Sequence, residues 1–85
     1  MEDTHDVARV PLVAPAVGIA GVAVSLWLVP EGAEVLEGDR VVELVAGGAT
    51  IDLGAPVTGR LVAQRIDEDA PAPPGTVLAE FEAAP

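Results

Sequence analysis

The sequence predicts an all-β domain: a flattened barrel or sandwich of two antiparallel sheets related by a pseudo-twofold repeat. Three observations predict it. No window sustains a 3.6-residue apolar period, whereas short runs rich in β-branched residues alternate with turn-forming clusters. The chain also resembles itself 37 residues on, without a gap: Glu31 recurs as Glu68, Ala33 as Ala70, Gly38 as Gly75 and Glu43 as Glu80. The apolar pairs Val24/Leu61, Val29/Ile66, Val41/Leu78 and Leu44/Phe81 keep the same shift. Two copies are too few for a solenoid and suit two sheets packed face to face. Lastly, Gly47-Gly48 joins two of these runs, and paired glycines accept the positive φ values of a tight hairpin turn.

Residues 1–6 are polar and are expected to fray, which leaves one domain over residues 7–82. The uncharged stretch Val10 to Val29 is long enough to suggest a membrane span. Pro11, Pro15, Gly18 and Gly21 interrupt it, and basic flanks are missing, so it reads as broken strands. Within it, residues 22–29 form the first clear strand. Residues 40–45 end at the glycines, and Thr50-Ile51-Asp52-Leu53 alternates as a half-buried strand does. Residues 61–66 and 77–82 complete the set. Pro30-Glu31-Gly32, Glu37-Gly38-Asp39 and the proline-dense segment 70–75 carry turn chemistry. Ala83-Ala84-Pro85 reads as a tail or the start of an Ala/Pro linker.

A chain of 85 residues builds only a modest core, here from Val, Leu, Ile and Ala, since Trp27 and Phe81 are its only aromatics. The formal net charge of −10 repels nucleic acid and anionic lipid and favours a basic protein partner, besides keeping the domain soluble. Cysteine is absent, which removes disulfides, thiol nucleophiles and thiolate-bound metals and agrees with a cytoplasmic setting. The acidic start is unlike a secretory signal.

Little in the chain points to catalysis. His5 is the one histidine and sits in the polar start, without partners for a metal or a triad. Ser25 is the one serine, in mid-strand, where a phosphopantetheine site is not expected. Asp67-Glu68-Asp69 has the ligand type for a hard cation, but three successive carboxylates in a loop read rather as a solvated acidic tip. With no nucleophile–base pair and no phosphate-cradling loop, the domain is not expected to be an enzyme on its own.

Five motifs fall in order along the chain: Trp27-Leu28-Val29-Pro30-Glu31-Gly32, Glu37-Gly38-Asp39, Val41-Val42-Glu43-Leu44, Gly47-Gly48-Ala49 and Ala55-Pro56-Val57-Thr58-Gly59. In this order and spacing the chain resembles the lipoyl/biotinyl attachment family. The lipoyl branch, as in dihydrolipoyl acyltransferases, is the closer, because the methionines that flank a biotinyl lysine are missing. The resemblance implies a lysine at the hairpin tip, amide-linked to lipoate or biotin. The family's Asp-Lys pair falls on Gly47 and Gly48, and the chain contains no lysine: its four basic residues are Arg9, Arg40, Arg60 and Arg65. A guanidinium does not replace a primary amine in that amide, so no cofactor is expected.

The resemblance therefore implies a lysine-less interaction domain. It would be a part or small subunit associated with a 2-oxo acid dehydrogenase-type acyltransferase, and would dock or assemble without lipoylation. Such an acyltransferase would take its acyl group from coenzyme A or a carrier protein. The partner surface is expected at Ala46, Gly47, Gly48 and Ala49. The family fold implies that the loop from Glu31 to Glu37 lies nearby, with Glu31, Glu34, Glu37 and Asp39 steering a basic acyltransferase surface. Alternatives are a self-associating structural module that packs tip to tip, a lipoyl-like fragment of an efflux adaptor, and a decoy competing with lipoylated domains.

Overall fold

A computed structural model describes residues 8–85, and the regular structure among them is entirely β-strand. The strands are β1 (Arg9–Val13), β2 (Ala23–Trp27), β3 (Glu34–Val35), β4 (Arg40–Ala46), β5 (Ala49–Gly54), β6 (Gly59–Gln64) and β7 (Val77–Ala83). They form a four-stranded sheet in the order β1-β7-β6-β3 and a three-stranded sheet in the order β2-β4-β5, all antiparallel. The two open sheets make a flattened sandwich, not a closed barrel.

The 37-residue repeat is written into the backbone. β2 and β4 pair within one sheet, and their mates β6 and β7 pair within the other. Each copy also lends its short middle segment to the opposite sheet. Glu34 pairs with Arg60 on β6, and its mate Pro71 bridges Ala23 on β2. The hydrogen bonds follow. Gly32 N–H donates to the Leu61 carbonyl at 2.7 Å, as Asp69 N–H does to that of Val24 at 2.7 Å. Leu28 N–H donates to Val41 at 2.9 Å, and Arg65 N–H to Leu78 at 2.8 Å. The edge strands obey the same relation across the chain ends. Ile51 faces Leu44 on β5, and Val10 faces Phe81 on β1.

Alternation supplies the core. Along β4, Val42, Leu44 and Ala46 turn inward, and along β7, Ala79 and Phe81 do. Val24, Val41 and Leu61 join them at zero exposure. Trp27 packs half-buried against this cluster, and its indole N–H donates to the Ile66 carbonyl at 2.9 Å. The tryptophan therefore lies at the border of the core with its polar atom satisfied. Its mate Gln64 repeats the bond, donating from Nε2 to the Val29 carbonyl at 2.9 Å.

Two strands escaped the pattern. β1 lies in the proline-interrupted stretch and is recognisable only through its pairing with β7. β3 has two residues and is held by β6 rather than by any local propensity. The strands read at 22–29 and 61–66 are shorter at their C-terminal ends, because both chains leave their sheets in bends after Trp27 and Gln64. Residues 1–6, read as frayed, and His5 among them lie outside the described residues. No helix among the described residues is long and apolar enough to cross a membrane.

Candidate functional site

β4 and β5 meet at Gly47-Gly48, with Ala46 and Ala49 as the closing pair. The glycine φ values are 57° and 84°. Two successive positive values define the primed turn that matches the twist of a two-residue hairpin, and a β-carbon at either position is strained. Gly48 projects into open space, with nothing within 4 Å of where its Cβ would stand. Gly47 faces Ile19, whose Cγ2 lies 3.5 Å from the corresponding point. Ile19 is 50% exposed and belongs to the long connection between β1 and β2, residues 14–22. The tip is thus an uncharged knob of Gly47, Gly48 and Ala49 with an isoleucine laid along one side.

Two expectations about this surface need correction. Ala46 is 1% exposed and belongs to the core, because its side chain falls on the inward alternation of β4. The acidic loop is not beside the tip either. Leu36 and Asp39 bond to each other, and Gly38 and Asp39 bond to Ala55, while Arg40 pairs with Gly54, at the end of the hairpin remote from Gly47. β4 has seven residues, so about 20 Å of strand separates the two groups. The segment that does flank the tip, around Ile19, was hidden in an apolar run with no charge or motif to mark it.

The acidic residues divide by task. Glu31 accepts the Gln64 N–H at 2.7 Å, and its mate Glu68 accepts the Trp27 N–H at 2.9 Å. Asp39 accepts the Leu36 N–H at 2.9 Å. Glu31 and Glu68 fasten loops to strands, whereas Asp39 closes the turn between β3 and β4. Glu34 and Glu37 are exposed at the same end, where Glu34, Asp39, Thr58, Arg60 and Glu82 border a cavity of about 380 Å³. Asp67 and Asp69 are exposed as well, and Asp69 adopts a φ of 71° in its turn.

All four arginines lie against carboxylates. Arg40 pairs with Asp52 at 3.3 Å and Arg60 with Glu82 at 3.0 Å. Glu80 receives both Arg65 at 3.0 Å and Arg9 at 3.1 Å. Hydrogen bonds from Arg65 and then Arg9 hold its carboxyl below the ordinary value of 4.5. The positive charge is therefore spent within the four- and three-stranded sheets, and the remaining surface is dominated by carboxylates.

The family model described as "Biotin-requiring enzyme", the biotin/lipoyl attachment domain, matches residues 9–81. The chain belongs to the biotin/lipoyl family. No curated protein matches the sequence. Domains of this family are carriers and do not themselves catalyse. In this biotin/lipoyl domain the turn between β4 and β5 is Gly-Gly and carries no side-chain nitrogen.

Proposed function

We propose that this biotin/lipoyl domain docks without carrying. It serves as an interaction module or small subunit of a 2-oxo acid dehydrogenase-type acyltransferase, one that receives its acyl group from coenzyme A or a carrier protein. The observation that carries the reading is the hairpin itself: the fold and the turn are kept, while the position that resembles the attachment lysine is Gly48 at a φ of 84°. The exposed Gly47, Gly48, Ala49 and Ile19 offer the partner an uncharged contact. Glu34 and Glu37 at the opposite end add long-range attraction for a basic surface, which is weak at physiological salt.

The test is the intact mass of the chain from its native host, with co-purifying proteins identified. The expected result is the unmodified mass together with a stoichiometric acyltransferase-type partner. An added mass on the chain would overturn the reading, and so would failure of the intact protein to retain such a partner at low salt. A second reading, tip-to-tip self-association, draws on the half-exposed Ile19 beside Gly47. It requires a concentration-dependent dimer by light scattering that Ile19→Ser abolishes.

A further inference from the structure

We propose that the free edge of β5 accepts a basic, extended segment of the docking partner as an added strand. The inference rests on the docking reading and specifies the contact.

β5 ends the three-stranded sheet. In a two-residue hairpin the closing pair, Ala46 and Ala49, exchanges both backbone bonds, and bonded and non-bonded pairs then alternate. Leu44/Ile51 is therefore a bonded pair, whereas Val45/Thr50 and Glu43/Asp52 are not. The N–H and C=O groups of Thr50 and Asp52 point away from β4, and among the described residues no further backbone bond engages them. The mate strand gives the same answer independently. Asp52 corresponds to Pro11 of β1: Asp52 faces Glu43, and Pro11 faces its mate Glu80. Proline has no N–H and fits there because that position does not bond inward.

The two edges thus differ in one decisive respect. Pro11 blunts the edge of β1 at its centre, a common protection against strand addition. β5 carries no proline, and its edge is open from the hairpin to Leu53. At Gly54 it closes, because a Cβ there would already stand 3.0 Å from the Gly38 carbonyl oxygen. The open stretch spans about 17 Å and runs from the uncharged tip toward the loop that holds Asp39. It joins the two groups of residues that the sequence suggested as one surface.

Charge names the occupant. Asp39, Glu43 and Asp52 line a shallow depression beside this edge with Arg40, Leu28 and Val29. Three carboxylates face one guanidinium, and Asp52 already holds that guanidinium at 3.3 Å. A guest strand bonded to Thr50 and Asp52 would place alternate side chains over this depression, where Lys or Arg is favoured. A second copy of the chain is disfavoured. It brings a charge of −10 to a partner of −10, and antiparallel pairing centred on Asp52 sets that carboxylate against itself.

The experiment follows backbone amides of the whole chain by NMR at low salt, with an acetylated and amidated Lys-Val-Lys-Val-Lys-Val peptide as the probe. The Thr50 and Asp52 amides are expected to shift and to exchange about tenfold more slowly, Ile51 and Leu53 to change little, and binding to weaken as salt is added. Asp52→Pro copies Pro11, so the fold is expected to persist while peptide affinity falls about tenfold or more. Asp52→Asn keeps the N–H and loses only a fewfold. If Asp52→Pro does not fold, Thr50→Pro removes the other outward N–H. Undiminished binding by the folded proline variant overturns the proposal. So does protection of Thr50 and Asp52 in concentrated protein without peptide, which would assign the edge to a second copy. Recovery of the native acyltransferase-type partner by Asp52→Pro would sink the edge contact and leave docking intact. Failure of the unaltered chain to retain any such partner sinks docking itself.

Discussion

The two halves of the molecule share a backbone and differ in what is attached to it. In the first, β4 turns through Gly47-Gly48 into β5. In the second, β7 reaches Ala83, and the edge place beside it is taken by β1, which arrives from the other end of the sequence. The connection that enters β2 is a nine-residue loop carrying Ile19 to the tip, whereas the one that enters β6 is short. Loop-to-strand bonds recur residue for residue across the shift, so the fold needs them twice. The features that occur once are the uncharged hairpin, the Ile19 loop and the unblocked β5 edge. These are where an interaction is free to reside without disturbing the fold, and both functional proposals use them.

Substituting mates breaks or sharpens this comparison, and the largest effect is expected at Gly59. Its mate is Val22, which buries a side chain in the core. At Gly59 the neighbouring strand comes so close that a Cβ would collide with the Glu82 carbonyl oxygen. Gly59→Ala is therefore expected to cost about 3 kcal/mol or more in chemical denaturation, and Val22→Ala about 2 kcal/mol through lost burial. Equal, small losses would show that the β6–β7 approach is looser than its mate.

Glu31 and Glu68 come next. Each fastens a loop by accepting one backbone N–H, from Gln64 and Trp27 respectively. Glu31→Ala and Glu68→Ala are each expected to cost about 1 kcal/mol. The double variant should depart from additivity by about 0.5 kcal/mol or more, since the two loops interlock through the Trp27 and Gln64 side chains, which donate to Ile66 and Val29. Unequal losses would reveal that one loop does more than fasten.

The smallest effect belongs to Glu80. Arg65 and Arg9 lower its pKa in the folded state, so the group binds protons less readily folded than unfolded. Its contribution is present above the ordinary value of 4.5 and is lost as pH falls through the lowered folded value. Glu80→Gln is expected to lower the thermal midpoint slightly near neutral pH. The gap from the unaltered protein should close in acid and shrink with salt, because these arginines are about half exposed. At its mate Glu43, which forms no ion pair among the described residues, Glu43→Gln should leave the midpoint near neutral pH almost unchanged. A gap at Glu80 that persists in acid would assign its effect to packing instead of charge.

Much of the fold was legible in the chain because strand periodicity, turn residues and the 37-residue repeat are local or translational signals. They located β2, β4, β5, β6 and β7 and the hairpin between β4 and β5. β1 and β3 were not legible as strands. Pro11 masks one, and the other is two residues long, so both exist only through the partner that bonds them. The candidate surface was half legible for a related reason. Glycines at the tip announce a turn, but burial of Ala46 and the approach of Ile19 to Gly47 depend on which faces and which loops meet.

The sequence by itself determined the all-β class, the repeat and the absence of lysine, since residue type fixes backbone preference and lysine content is a matter of composition. Tertiary structure decided the distance between the tip and the acidic loop, the carboxylates that hold each arginine, and the edge left open on β5. These are long-range relations, set when two sheets choose their register and stacking, and no stretch of the chain encodes them alone.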